Sequence, residues 1–243
     1  MKLQVLSDPD SIARAGASHI AAAASSAIAA HGRFVLAVSG GHTPWAMLGA
    51  LARRSVAWDQ VHVVQVDERV VPKNHPDRNL KHLRESLFPA APLPPENLHA
   101  MPVEEIDLGA AAEAYAGTVI ALAGDPPTLD LIHLGLGADG HTASLVPDDP
   151  VLDIVDRPVA VTGPYRGRRR MTLTYPVLDR ARSLLFVVTG EEKADALSRL
   201  FQRDPAIPAA RILSENILVI ADRAAAKGVK HDQGGKAVPS LPS

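Results

Sequence analysis

The chain has 243 residues, 47% of them hydrophobic, and a formal net charge of −2. This predicts a globular protein with a substantial core, and the charge gives no reason to expect nucleic acid or an anionic membrane as a partner. The absence of cysteine excludes a disulfide framework, zinc–thiolate sites and cysteine nucleophiles. The amino terminus lacks the apolar core and cleavage site of a secretory signal, so we expect a soluble, cytoplasmic protein.

Short apolar strands alternate with helices along the chain. The predicted elements are strand 1–6, helix 11–30, strand 34–38, helix 45–54, strand 61–66, helix 80–87, helix 107–123, strand 129–136, strands 159–162 and 171–174, strand 183–189, helix 190–202 and strand 216–220. This alternation favours one α/β domain, a mostly parallel sheet with helices on both faces. We place the domain at residues 1–228 and expect a loose carboxyl-terminal tail at 229–243, where hydrophobic residues are scarce.

The segment Ser39-Gly40-Gly41-His42-Thr43-Pro44 follows the second predicted strand and precedes a helix. Two glycines, two hydroxyls and a helix amino terminus are suited to binding a phosphate, since main-chain N–H groups and the helix dipole both favour an anion. The segment matches neither a Walker A loop nor a dinucleotide fingerprint. A plain tight turn with Thr43 as a helix cap is the alternative.

The segment Asp67-Glu68-Arg69 directly follows the third predicted strand. Charged residues at a strand end are often solvated or paired with one another. The functional interpretation gives Arg69 a phosphate or carboxylate to hold, because the rigid guanidinium matches an oxyanion. It gives Asp67 a sugar hydroxyl to bind.

The segment from Gly135 to Ser144 follows a mostly apolar strand, is rich in glycine, and contains Asp139 and His141 on either side of Gly140. An imidazole that titrates near ~6.5 can act as a base at neutral pH. In open α/β sheets, ligands bind outside the carboxyl ends of the strands, so all three segments should meet at one edge. The alternative is a glycine-rich turn with Asp139 and Ser144 as caps. We also expect residues 142–144 to open a helix.

Other ionisable residues are weaker candidates. His62 and His133 lie inside predicted strands and are expected to be hydrogen-bonded core imidazoles, and no metal-binding motif is present. Lys193 follows the glycine at 190 and is either a phosphate ligand or ordinary surface. A basic turn before the strand at 171 is either solvated or delivers one guanidinium to a bound phosphate; its residues are Arg166, Arg168, Arg169 and Arg170.

Taken together, these motifs resemble the 6-phosphogluconolactonase family, within the superfamily of glucosamine- and galactosamine-6-phosphate isomerases. The similar segments occur in the family's order and are 39–44, 67–72, 135–145, 170–174, and Gly190 with Lys193. Two positions depart from the family pattern. Arg78-Asn79 replaces a common Ser-Asn, which puts a pocket role of residue 78 in doubt, and Val146 replaces a common Phe.

The resemblance implies a Rossmann-like fold of the glucosamine-6-phosphate deaminase and ribose-5-phosphate isomerase type. It also implies hydrolysis of 6-phosphogluconolactone to 6-phosphogluconate without metal or cofactor, by a monomer or small homo-oligomer. Such a reaction needs an activated water, a grip on the phosphate and stabilisation of an oxyanion. His141 would be the base, and Asp139 would orient it or bind a sugar hydroxyl. The expected substrate ligands are Ser39, Gly40, Gly41, Thr43, Asp67 and Arg69, with Arg170 and Lys193 as further cations.

Two rival functions occur on the same or a related fold. Glucosamine-6-phosphate deaminases share the fold and an Asp-Gly-His motif. In their pattern, however, Ile follows this motif where this chain has Thr142, and an Asp-Glu-Tyr type of sequence stands where this chain has Arg69 as the third residue. A sugar-phosphate-sensing regulator would normally carry a DNA-binding segment, and this chain has neither a basic helix-turn-helix nor a basic excess.

Overall fold

The computed structural model describes residues 1–229, which form ten strands and six α-helices. In chain order the elements are β1 (Lys2–Leu6), α1 (Pro9–His31), β2 (Phe34–Val38), α2 (His42–Ala52), β3 (Val61–Gln65), β4 (Asp67–Arg69), α3 (Asn79–Leu87), β5 (Leu98–His99), α4 (Leu108–Ala123), β6 (Leu131–Leu134), β7 (Val159–Val161), β8 (Arg170–Leu173), α5 (Tyr175–Arg180), β9 (Leu184–Val188), α6 (Ala194–Phe201) and β10 (Ile217–Asp222). Apart from residue 229, the predicted tail lies outside the described residues.

The main sheet has seven strands in the order β1-β10-β9-β6-β2-β3-β5, and every neighbouring pair is parallel. At its centre β2 and β6 lie side by side. The chain continues from β2 to β3 on one side and from β6 to β9 on the other. The loops after β2 and β6 therefore diverge, and this switch in strand order opens a crevice at the carboxyl edge.

Both faces of the sheet are covered, which explains why its central strands are mostly apolar. On one face, Leu36 and its neighbours pack against α1, α2 and α3. On the other, Ala37 and Ile132 pack against α4, α5 and α6. The predicted α/β domain with a mostly parallel sheet and helices on both faces is therefore confirmed. Among the described residues, none of the helices combines the length and the apolar character needed to cross a membrane.

A second sheet of three antiparallel strands, in the order β4-β8-β7, was not foreseen. The predicted strand at 61–66 ends at Gln65, and Val66 links the two sheets: its N–H donates to Val38 of the main sheet, and its carbonyl accepts from Leu173 of the small one. Asp67 to Arg69 is thus a strand, not a loop. Burial on the α4–α6 face lets so short and charged a strand form, because Met171 and Leu173 anchor its partner in the core.

The expectation that residues 142–144 open a helix is wrong. Thr142 and Leu145 exchange two main-chain hydrogen bonds across a tight turn, and Ala143 has a φ of 53°. Ser144 is fully buried. The turn places this segment against the small sheet, where the Ser144 N–H donates to the Thr172 hydroxyl at 3.2 Å, so it cannot continue as a helix.

Candidate active site

A cavity of about 390 Å³ lies at the carboxyl edge of the main sheet, where β2, β6 and β9 end. Nine of the ten residues singled out in the sequence line it: Ser39, Gly40, Gly41, Thr43, Asp67, Arg69, His141, Arg170 and Lys193. The tenth, Asp139, is bonded to His141. The three segments predicted to meet at one edge do meet there.

The loop between β2 and α2 ends at the amino terminus of the helix, whose first main-chain N–H groups have no carbonyl partner within the helix. Helix α2 begins after Gly41, which has a φ of 131° and gives the helix no side-chain cap, so the predicted cap by Thr43 is not formed. Instead the Thr43 hydroxyl is 2.9 Å from that of Thr189, which ties the loop to the end of β9. A side chain at position 40 would collide with Asn79, so only glycine allows this approach.

Two arginines face the cavity side by side, because Arg69 of β4 and Arg170 of β8 are partners in the antiparallel ladder. Arg170 is 8% exposed, and burial lowers the pKa of its guanidinium. Within residues 1–229 neither arginine forms an ion pair, and the Nε atom of each is buried without a partner. A buried cation is costly unless an anion compensates it, so this pair is suited to binding an anionic group.

Asp67 lies beneath the arginines and is 3% exposed. Ser39 donates to its Oδ1 at 3.2 Å, and Ser144 donates to its Oδ2 at 2.6 Å. The carboxylate therefore joins the loop after β2 to the turn after β6. It also supplies a negative charge that favours the charged form of Arg170.

Glu68, the middle residue of the acidic–basic motif, points away from the cavity and is fully buried. It accepts hydrogen bonds from the main-chain N–H groups of Arg69, Asn79 and Leu80, and it pairs with Arg78 at 3.3 Å. Arg78 also reaches Glu104 at 2.7 Å. These contacts fix the loop behind Arg69, and they give residue 78 a structural position outside the cavity lining.

Asp139 and His141 form the most closely bonded pair in the site. The Asp139 Oδ1 atom is 2.5 Å from His141 Nδ1 and accepts from the His141 main-chain N–H at 3.2 Å. The hydrogen bond from His141 is the main reason that the pKa of Asp139 lies well below its usual value, and a bond from Tyr165 adds to it. Gly137 makes the pair possible, since a side chain there would collide with both residues.

The tautomer of His141 follows from this contact. An ionised carboxylate can only accept, so Nδ1 must carry the hydrogen. In the neutral ring, Nε2 then keeps its lone pair and is the basic atom. His141 is about a fifth exposed, and it lines the cavity.

Lys193 closes the opposite side of the cavity, in the 3-10 turn after Gly190 and directly before α6. In the part of the chain that the structure describes, its ammonium group has no carboxylate within ion-pair distance. Glu192 lines the cavity beside it. Of the four arginines in the basic turn, only Arg170 lines the cavity, and Arg168 instead pairs with Asp77 at 3.0 Å.

Tyr165 was not foreseen. Its hydroxyl donates to Asp139 Oδ2 at 2.7 Å, from a hairpin that lies far from Asp139 in the sequence. His133 was foreseen only in part: it is buried in β6, but among the described residues neither ring nitrogen has a hydrogen-bond partner. Burial lowers its pKa to about 3, so it remains neutral. His62 does have a partner, with its Nδ1 atom 3.2 Å from His99 Nε2.

Comparison with known proteins agrees with this architecture. The family model for "Glucosamine-6-phosphate isomerases/6-phosphogluconolactonase" matches residues 7–220. A 6-phosphogluconolactonase of Synechocystis sp. is 41% identical over 74% of this chain and 77% of its own, and one of Mycobacterium tuberculosis is 35% identical over 92% and 96%. The crystal structure of the 6-phosphogluconolactonase of Thermotoga maritima covers 91% of this chain and 98% of its own, with a TM-score of 0.81 and 25% identity.

The chain therefore belongs to the family of glucosamine-6-phosphate isomerases and 6-phosphogluconolactonases. The fold alone does not separate the two activities, because a monomeric glucosamine-6-phosphate deaminase also superposes with a TM-score of 0.82 at 19% identity. The curated relatives do separate them. They place the chain among the 6-phosphogluconolactonases, which are hydrolases, and the predicted family is confirmed.

Proposed function

We propose that this enzyme hydrolyses 6-phosphogluconolactone to 6-phosphogluconate, the lactone-opening step of the oxidative pentose phosphate pathway, with His141 as the general base. One observation carries the proposal. An imidazole with a fixed tautomer and two guanidinium groups without ion-pair partners among the described residues line the same cavity. This combination pairs a base for water with a grip for a phosphate.

The proposed reaction begins when Nε2 of His141 takes a proton from a water molecule. The water oxygen forms a bond to the lactone carbonyl carbon, and the carbonyl oxygen becomes an oxyanion. The oxyanion then collapses, the bond between the carbonyl carbon and the ring oxygen breaks, and the proton on Nε2 passes to the ring oxygen, which leaves as a hydroxyl group. The carboxylic acid formed loses its proton to solvent.

Asp139 orients the base in this proposal. Its hydrogen bond to Nδ1 holds the ring in the tautomer that leaves Nε2 basic, and its negative charge stabilises the imidazolium that forms. Its Oδ1 accepts from both the ring and the main-chain N–H of His141, and its Oδ2 accepts from Tyr165. The direct bond to the imidazole supports the orienting role over that of a sugar-hydroxyl ligand.

The phosphate occupies the side of the cavity made by the loop after β2. Main-chain N–H groups at the start of α2 and the hydroxyls of Ser39 and Thr43 are donors there, next to Gly40 and Gly41. Arg69, Arg170 and Lys193 also line the cavity and are further ligands of the phosphate, as the sequence motifs imply. Asp67 positions the loop after β2 and the turn after β6 through its bonds with Ser39 and Ser144. Both of its carboxylate oxygens can still accept a hydrogen bond from a sugar hydroxyl.

His141→Ala tests the proposal. Acid release from freshly generated 6-phosphogluconolactone is measured above a blank without enzyme, because the lactone also hydrolyses spontaneously. We expect kcat to fall by the ~10²–10⁴-fold that a general base contributes, while thermal stabilisation by 6-phosphogluconate is retained. His31→Ala is the matched control, since His31 binds Asp130 outside the cavity and its loss should leave kcat unchanged.

Turnover near that of the wild type in His141→Ala would refute the role of the base. Release of ammonia from glucosamine 6-phosphate would instead indicate the deaminase reaction, and ligand binding without any turnover would indicate a sensor. The cytoplasmic location, the domain boundary at residue 228 and the monomeric or small oligomeric state stay predictions from the sequence.

A further inference from the structure

Tyr165 contacts both parts of the candidate site from outside the cavity. Its hydroxyl donates to Asp139 Oδ2 at 2.7 Å. The edge of its ring meets His141 with 5.5 Å between centroids, and the guanidinium carbon of Arg170 lies 4.9 Å from the ring centroid. One side chain thus touches the proposed base, the carboxylate that orients it and a proposed phosphate ligand.

The hairpin between β7 and β8 places Tyr165 there by its turn geometry. Tyr165 and Arg168 exchange main-chain hydrogen bonds of 2.9 and 3.2 Å, and the two residues between them, Arg166 and Gly167, have φ values of 50° and 75°. Positive φ at both central positions is the type I′ turn that fits the twist of a two-residue hairpin. The ion pair of Arg168 with Asp77 at 3.0 Å then holds the tip over the site.

We propose that Tyr165 is a positioning residue for the lactone hydrolysis proposed above: its hydroxyl fixes the carboxylate of Asp139, and the carboxylate fixes His141. The proposal rests on that function for its kinetic effect. Its structural content, the hold of Tyr165 on the Asp139–His141 pair, stands on the contacts alone.

The second hydrogen bond matters because the terminal torsion of an aspartate is soft. Rotation about the bond to an sp² carboxylate is broad and roughly two-fold, and both bonds from His141 reach the same oxygen, Oδ1, so they leave Oδ2 without an anchor of its own. With Oδ1 on His141 and Oδ2 on Tyr165, both oxygens are fixed and the torsion is determined.

The direction of the Tyr165 bond is settled by protonation. Burial, and then the bond to Asp139, raises the pKa of the Tyr165 hydroxyl, so it keeps its proton. Asp139 is ionised and can only accept. The hydroxyl is therefore the donor, and the contact is a charge-assisted hydrogen bond of the stronger kind.

Tyr165→Phe removes the hydroxyl and keeps the ring beside His141 and Arg170. We expect kcat to fall about tenfold, less than the ~10²–10⁴-fold of the base itself, with KM and the melting temperature unchanged. The matched control is Tyr175→Phe, which removes a hydroxyl that donates to the Pro208 carbonyl at 2.9 Å without touching Asp139 or His141. Its kcat should stay that of the wild type.

A double-mutant cycle shows whether Tyr165 acts through Asp139. In an Asp139→Ala background the hydroxyl has no carboxylate to hold, so adding Tyr165→Phe should lower kcat no further. A drop of the same size in both backgrounds, wild-type kcat in the single variant, or a raised KM with unchanged kcat would each overturn the positioning role.

Nitrogen NMR of the His141 ring separates this proposal from the proposed function, because it needs no turnover. In the wild type the spectrum should show hydrogen on Nδ1, and Tyr165→Phe should shift it toward a mixture of tautomers. An unchanged spectrum in the variant overturns the positioning role even if the enzyme is active. A wild type without lactone hydrolysis above the blank would overturn the function and leave this result intact.

Discussion

His133 and His141 lie on one segment of the chain, the first inside β6 and the second in the loop that follows it. His133 is fully buried between the sheet and its helices, and neither of its nitrogens has a partner among the described residues. His141 is partly exposed, lines the cavity and donates a hydrogen bond to Asp139. The strand excludes water and polar partners from the first ring, while the glycine-rich loop brings a carboxylate to the second.

The difference shows how one side-chain type serves two purposes. A buried imidazole escapes the cost of a buried charge by staying neutral, as the lowered pKa of about 3 for His133 indicates. His141 is instead hydrogen-bonded to a carboxylate through Nδ1, which leaves Nε2 available to take a proton. We therefore expect substitutions at His133 to change stability and substitutions around His141 to change kcat.

The largest effect is expected from Asp139→Asn. The amide can donate to Nδ1 of His141, which would move the ring hydrogen to Nε2 and remove its basic lone pair, so kcat should fall by about 10²-fold or more, close to the loss of the base itself. Steady-state kinetics with the lactone measures this. Asp107→Asn is the control, because Asp107 caps α4 outside the cavity and asparagine caps equally well. An Asp139→Asn enzyme with wild-type kcat would break the contrast between the two histidines.

His133→Gln is expected to change the pH dependence of stability and leave kcat unchanged. The pKa of His133 is about 3 when folded and 6.5 as the ordinary value, so between these values the unfolded chain binds a proton that the folded one does not. The wild type should therefore lose stability as the pH falls from 6.5, by up to ~1.4 kcal/mol per pH unit from this group.

The glutamine variant should lack that part of the loss. Denaturant unfolding of both proteins at neutral pH and at acid pH measures the difference. Equal acid slopes in His133→Gln and the wild type would show that His133 is not the buried neutral group described above.

The sequence predicted the main sheet and the site loops because both follow from the chain's local pattern. Apolar strands ending in glycine and charged residues identify the carboxyl edge, and all residues picked there lie at the cavity or bond to one that does. The small sheet was missed because β4 is short and charged and gains its stability from β8, far along the chain.

Contacts between distant segments explain the other failures. The hydrogen bond from Tyr165 to Asp139 depends on where the hairpin between β7 and β8 ends in space, and the local sequence pattern does not predict that position. The bonds that turn residues 142–145 away from a helix lead to Thr172 of the small sheet. Whether His133 finds a hydrogen-bond partner depends on which side chains the helices covering the sheet place beside its ring. A conspicuous basic turn did mark the hairpin, and the tyrosine just before it was the signal available.

Arg170 extends the comparison, because its Nε, like the nitrogens of His133, is buried without a partner among residues 1–229. A guanidinium stays protonated even though burial lowers its pKa, so it cannot become neutral as an imidazole does. Because Arg170 lines the cavity, we expect an anionic group of the ligand to compensate its charge. We expect Arg170→Met to raise KM for the lactone and weaken 6-phosphogluconate binding by roughly 10- to 10²-fold, the range of one hydrogen bond to a charged group. Titration calorimetry and steady-state kinetics measure this.

Arg157→Met is the control and should change neither quantity, because Arg157 is paired with Asp156 at the surface. If Arg170→Met binds the product as tightly as the wild type, the unpartnered nitrogen of Arg170 is a tolerated defect of the core, as it is in His133, and the phosphate is held elsewhere in the cavity.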